Sequence, residues 1–207
     1  LDPSRIFVSC FRADPENGIP KDEESAGIWT GLFEAAGVSS AQIDVGTEEH
    51  AAAVGTDGAL SAFYSKKNWW CRGGKAEDMP VGEPGGPDTE MFYLFPNVEH
   101  DPAFGAHCHQ NCDCGRFIEL GNSVFMEYRR TQTGFEPLPR RNVDYGGGLA
   151  RIAAARRGPT PGTDSRRPSC ATSSRPSSVS TCSSSWMRSA RRWPRPGTTV
   201  SSCTGSA

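Results

Sequence analysis

The chain has 207 residues, enough for one domain or two small ones, and a formal net charge of −2. That near-neutral sum hides a split: residues 1–150 carry 12 Lys and Arg against 23 Asp and Glu, whereas residues 151–207 carry 10 Arg and a single acid, Asp164. The acidic portion is a poor nucleic-acid surface, and only the arginine-rich portion could neutralise phosphates. No run of roughly eighteen apolar residues is present to span a membrane.

The first residues, Leu1-Asp2-Pro3-Ser4-Arg5, offer neither an initiator Met nor the apolar stretch of a signal peptide. They read as a cut from a longer, cytoplasmic protein. Of eight cysteines, five fall in residues 1–114 and three of those crowd together. Clustered Cys and His in such a chain point to metal rather than to a disulfide framework.

Arg5–Phe11 is a β-rich run, ended by a Pro/Asn/Gly turn at 15–20. Lys21–Gly37 reads as a helix, with Asp22, Glu23 and Glu24 in its first turn and Ile28, Trp29, Leu32 and Phe33 at helical spacing. Residues 38–60 read as an irregular connection with one short helix near Glu48–Val54. Ala62–Tyr64 is a strand. The adjacent Trp69 and Trp70, flanked by glycines, suit either a pocket wall or ordinary core packing, and spacing alone favours the core. Glu83–Pro87 reads as a rigid Gly/Pro turn feeding a strand in which Glu90 and Phe92 share a face; the simplest place for Glu90 is an edge strand in solvent.

Residues 105–115 offer His107, Cys108, His109, Cys112 and Cys114 within one loop. Zinc takes four nitrogen or sulfur ligands in a tetrahedron, and three consecutive residues do not all ligate easily. The expected set is Cys108, Cys112, Cys114 and one histidine: His109 or His107, with His100 a further option. A polar loop with reduced thiols is the competing reading. Arg116–Arg130 is the strongest strand, long enough to hold a bulge at Gly121-Asn122. Strict alternation puts Ile118, Leu120, Asn122, Val124 and Met126 on one face, with Glu119 opposite. Asn122 stands out, because a buried amide needs partners and a ligand can supply them. Thr131–Pro139 is a hairpin connection to a strand at Asn142–Tyr145. Then come Gly146, Gly147 and Gly148, which suit a sharp turn, and Leu149-Ala150-Arg151-Ile152, which opens a helix whose free N–H groups would welcome an anion.

From about Arg156 onward Ser, Arg, Pro and Thr dominate without any period. Such a segment cannot bury enough apolar surface to offset its ordering entropy. The expected division is therefore a folded part, residues 1–155, and a tail, residues 156–207. The tail is either a disordered basic extension or, the favoured reading, a G+C-rich gene read in a shifted frame from near Ala155–Gly158 onward.

Three stretches, Asn68–Gly73 with Gly86–Tyr93, Arg116–Tyr128, and Asn142–Ile152, resemble in order and spacing the later half of the catalytic domain of the alanyl-tRNA synthetases, which are class II aminoacyl-tRNA synthetases. The third resembles class II motif 3. The resemblance implies an α+β fold, an antiparallel sheet with flanking helices, with the Cys/His loop as an insertion. It implies alanine and ATP as substrates, Mg²⁺ as cofactor, and tRNA(Ala) as partner of the full-length enzyme. Alanine would be held by Trp70, Asn122, Val124, Asp144 and Gly146, with Asp144 on its ammonium. ATP would meet Gly148 and Arg151, and Mg²⁺ would meet Glu90 or Glu119, the latter only if a bulge brings it to the Asn122 face. Ala150 stands where the family has a Glu, which removes a partner for Arg151. Motifs 1 and 2 are not in the chain, so it is not expected to activate alanine alone. A zinc-stapled RNA-binding module using the basic tail is the alternative. An editing relative is disfavoured, because the chain has no His-x-x-x-His pair.

Overall fold

The computed structural model describes residues 1–158. Its strands are β1 (Ile6–Phe11), β2 (Gln42–Gly46), β3 (Ser61–Tyr64), β4 (Trp69–Cys71), β5 (Pro84–Leu94), β6 (Phe117–Arg130) and β7 (Phe135–Gly147). Its helices are α1 (Glu23–Ala35), α2 (Glu48–Val54) and α3 (Leu149–Arg157). All seven strands form one sheet in the order β2-β3-β1-β5-β6-β7, with β4 also paired to β5. The fold is α+β. The sheet is antiparallel from β1 through β7, but β1, β3 and β2 pair in parallel. Parallel neighbours need a crossover rather than a hairpin, and α1 and α2 supply the two crossovers. This is why 38–60, expected to be largely irregular, contains strand β2. In β2 only Ile43 and Val45 turn inward, against Ala51, Ala62 and Tyr64.

Local chemistry explains most boundaries. Asp22 caps α1, its Oδ1 accepting from the Ser25 N–H at 2.9 Å, and Gly37, at φ +71°, stops it. The buried stripe of α1 differs from the one expected. Ser25, Ala26 and Phe33 are buried, while Ile28 and Leu32 are 58% and 55% exposed. A helix lying on one sheet buries a single stripe of i and i+4 neighbours, here through Trp29 and Phe33, and Ile28 and Leu32 fall beside it. On that side of the sheet Trp29 Nε1 donates to Thr89 Oγ1 at 3.0 Å. Cys10, Ala26 and Phe63 form one core there, and Tyr93, Phe95, Leu120 and Ala155 of α3 another.

The Gly/Pro stretch is not a turn: β5 already begins at Pro84. Gly86 serves a close approach, because a Cβ there would collide with the Phe125 carbonyl of β6. Gly146 and Gly147 likewise finish β7 in extended backbone, and only Gly148 stands at the start of α3. None of the three has positive φ. Their smallness has another use, since Tyr145 lies over Gly121 and Gly147, where a Cβ would meet its ring or hydroxyl at 2.5 Å and 2.9 Å. β7 starts at Phe135, earlier than expected, because the hairpin closes tightly at Thr131–Gly134, with the Thr131 N–H donating to the Gly134 carbonyl at 2.8 Å. The tail from residue 159 onward, with its expected disorder or frame shift, lies outside the described residues.

Candidate functional site

The site is built on the centre of the sheet. β5 has β1 on one side and β6 on the other, so Glu90 is on an interior strand and not on an edge. The register pairs Glu90 with Ser9 of β1 and with Asn122 of β6. Asp88, two residues earlier, shares the Glu90 face. Residues Met91 and Phe92 pair with Gly121 and Glu119, so Leu120 is an extra residue in β6. That bulge turns Glu119 to the face of Asn122, reversing the strict alternation read from the sequence. Across β6, Gly146 pairs with Asn122 and Asp144 with Val124.

A chain of polar side chains runs along this face. Asn68 is fully buried and its Nδ2 donates to Ser9 Oγ at 2.8 Å and to Asp88 Oδ1 at 3.0 Å. Asn122 Nδ2 donates to Asp88 Oδ2 at 2.9 Å. Ser9 Oγ donates to Glu90 Oε2 at 3.3 Å. Asp88 is 3% exposed. Burial pushes its carboxyl up to about 6, against the two amide donors that favour the carboxylate. Burial, then repulsion from Asp88 and Glu119, pushes Glu90 up to about 8, while Lys67 and Ser9 oppose the shift. Near neutral pH the pair therefore shares about one proton, held mostly by Glu90. Two buried carbonyl oxygens, Asn68 Oδ1 and Asn122 Oδ1, have no hydrogen-bond partner.

At the end of the sheet, Arg151 reaches from the first turn of α3 to Glu119, Nη1 to Oε2 at 3.1 Å and Nη2 to Oε1 at 3.4 Å. Glu119 thus gives Arg151 the partner that Ala150 does not. The same contact occupies the carboxylate considered for Mg²⁺. Asp144 is exposed and its Oδ1 accepts from the Tyr145 N–H at 2.9 Å. Val124 is buried and Trp70 half-buried on β4, opposite Gly86, while Trp69 is the core tryptophan against Phe11 and Phe135.

The Cys/His loop forms a second cluster. The ligand atoms of His100, Cys108, Cys112 and Cys114 all lie within 4.8 Å of one another. His109 is not among them. It is buried, and its Nδ1 meets the Tyr64 hydroxyl at 3.1 Å. His107 is also elsewhere, its ring and Cβ against Gly55 and its N–H donating to the Ala52 carbonyl at 2.9 Å. His100 Nε2 donates to the Gly105 carbonyl, a pure acceptor, at 3.0 Å, which leaves Nδ1 facing the sulfurs, 3.7 Å from Cys112 Sγ. Burial pushes Cys108 and Cys112 up. Burial acts the same way on Cys114, but hydrogen bonds led by the one from His100 outweigh it and bring that thiol down to about 7. A cleft of about 570 Å³ opens between α2 and this loop, lined by Glu48, Glu49, Phe104 and His109. None of the residues of the Asp88 face lines it.

No family model matches the chain. The alanine–tRNA ligase of Treponema denticola is 36% identical over 144 residues, which is 67% of this chain and 18% of that protein. That of Treponema pallidum is 32% identical over 161 residues, 76% of this chain and 21% of that protein. That of Petrotoga mobilis is 38% identical over 99 residues, 46% of this chain and 10% of that protein. The chain corresponds to a segment of an alanine–tRNA ligase. It spans about a fifth of the length of the Treponema relatives. Within this ligase segment, Asn122, Val124, Asp144 and Gly146 meet on facing strands, and Gly148, Arg151 and Glu119 meet at their end. Sequence reasoning does not single out Ser9, Asn68 or Asp88. Asp88 lies in a Gly/Pro run that reads as a turn. The available signal is the alternation of Asp88 with Glu90, which puts two acids on one face of a strand.

No helix among the described residues is long and apolar enough to cross a membrane.

Proposed function

We propose that the chain carries the alanine-holding part of a cytoplasmic alanine–tRNA ligase, which joins alanine to ATP as alanyl-adenylate and then transfers it to tRNA(Ala). The observation that carries this reading is the β6–β7 register. It gathers Asn122, with a partnerless carbonyl, Val124, Asp144 and Gly146 at one place on the sheet. An ammonium suits a carboxylate and an amide oxygen, and Val124 with Trp70 would limit the side chain to a small one. Arg151, aligned by Glu119, would meet the ATP phosphates above Gly148, where the start of α3 also favours an anion. Mg²⁺ would draw the proton from Glu90 when it binds, since a divalent cation strongly favours the ionised carboxylate. Glu119 is the weaker Mg²⁺ ligand because Arg151 already holds it.

The loop would hold one structural zinc through His100, Cys108, Cys112 and Cys114, an S₃N set of the kind zinc takes in structural sites. The chain alone would not complete alanine activation, because it spans so little of its relatives. The test is binding of L-alanine to the purified chain, followed by ¹⁵N–¹H correlation spectra. Shifts localised to β6 and β7, weakened at least tenfold by Asp144→Asn, are expected; saturating alanine without any shift in β6 or β7 would refute the reading. The RNA-module alternative depends on the tail outside the described residues.

A further inference from the structure

The geometry points to Asp88 as the residue that sets the polarity of the site: its carboxylate holds the amide nitrogens of Asn68 and Asn122 and thereby leaves the oxygen of the half-buried Asn122 as the acceptor for an ammonium group. An ionised carboxylate only accepts hydrogen bonds, whereas an amide has one end that donates and one that accepts. Asp88 takes Asn68 Nδ2 on Oδ1 and Asn122 Nδ2 on Oδ2, at 3.0 Å and 2.9 Å. Neither amide can present its oxygen to Asp88 without setting two acceptors against each other in a buried place. The oxygens must therefore face away, and both are buried without a partner. A buried carbonyl without a donor is costly, and that of Asn122, bonded to Asp88 and paired in register with Glu90, favours a cationic donor. Lys67 is the nearby cation, and it is drawn toward Glu48 at 3.3 Å. The inference rests on the alanine reading for the identity of the ammonium, but the polarity of the amides does not.

Asp88→Asn keeps the shape and removes the rule. The substituted amide would offer one acceptor and one donor, so one of its neighbours must reverse. Asn68 Nδ2 also serves Ser9 Oγ, whereas Asn122 Nδ2 has Asp88 alone. Asn122 is therefore the amide that turns, presenting its NH₂ group to the ligand. The double variant Asp88→Asn/Asn122→Asp restores a carboxylate opposite an amide and returns an acceptor to the site.

The experiment uses the 207-residue chain with L-alanine and with L-lactate, which has a hydroxyl in place of the ammonium. Asp88→Asn is expected to weaken alanine at least tenfold and lactate by less than threefold, and the double variant to bring alanine back within about threefold. Equal loss of both ligands, or no rescue, would overturn the proposal. The side-chain amide protons of Asn122 provide a ligand-free readout. They are expected to be protected from exchange in the wild type and unprotected in Asp88→Asn. In the double variant, protected amide protons are expected instead on the side chain introduced by Asp88→Asn. If the amide protons follow this pattern while no chain binds alanine, the polarity device stands and the alanine reading fails. If Asn122 stays protected in Asp88→Asn, the device itself fails. Should Asp88→Asn not fold, the wild-type protons still decide: unprotected Asn122 Nδ2 protons would overturn it.

Discussion

Arg151 and Glu119 face each other in a two-point contact, Nη1 donating to Oε2 and Nη2 to Oε1, tying the first turn of α3 to the bulge of β6. The two side chains are 37% and 30% exposed, so solvent screens the pair. Its value is positional. We expect Glu119→Gln to lower stability by about 1 kcal/mol or less, read as a shift in urea midpoint with unchanged slope. Amide exchange in α3 should rise, because Gly148 gives this helix no side-chain cap. A loss above about 3 kcal/mol would show that the pair is buried in solution, contrary to its exposure here.

The histidine that completes the sulfur cluster is His100. Cobalt(II) added to metal-free chain should give sulfur-to-cobalt charge-transfer bands and the intense d–d bands of a tetrahedral site. His100→Ala should weaken cobalt by at least about tenfold. His109→Ala should keep the spectrum but cost about 1–3 kcal/mol of stability, because the buried Tyr64 hydroxyl loses a partner. The reverse pattern would move the metal to His109.

The carboxylate pair predicts the pH dependence of stability. Both folded pKa values, about 6 for Asp88 and about 8 for Glu90, lie above ordinary carboxylate values because burial disfavours the charge. Their contribution is therefore fullest below about pH 4 and is lost as the pH rises through about 6 and then about 8. Between about pH 5 and about pH 8.5 the wild type should lose on the order of 4 kcal/mol relative to Glu90→Gln. Urea midpoints of the two proteins at both pH values test this, and comparison with the variant cancels the titration of the cysteine cluster. Parallel pH profiles would mean that Glu90 is solvated.

Three glycines should respond in opposite directions. Gly27 and Gly31 are exposed in α1 with open space where a Cβ would go, so alanine at each should stabilise by about 0.5–1 kcal/mol. Gly86→Ala should cost more than about 3 kcal/mol or prevent folding, since the added methyl group meets the Phe125 carbonyl. Thermal melts of the three variants would decide.

Local signals in the sequence were sufficient wherever a residue's own chemistry makes the structure. Asp22 and Gly37 bound α1, Thr47 caps α2 through its hydroxyl, and the apolar run through Leu120 makes β6. The crowding of Cys108, Cys112 and Cys114 was likewise visible in their spacing, as was the likeness of three ordered stretches to one enzyme family. Tertiary structure decided what depends on neighbours distant in the chain. The Leu120 bulge is defined only by pairing with β5, and it turns Glu119 to the Asn122 face and so to Arg151. His100 replaces His109 because side chains converge in space irrespective of sequence distance, and Tyr64 had already engaged His109. Asp88 became the centre of the site because two amides from different parts of the chain close on it. Hydrogen bonds in a buried place are made by direction and distance, and neither is written in the order of residues.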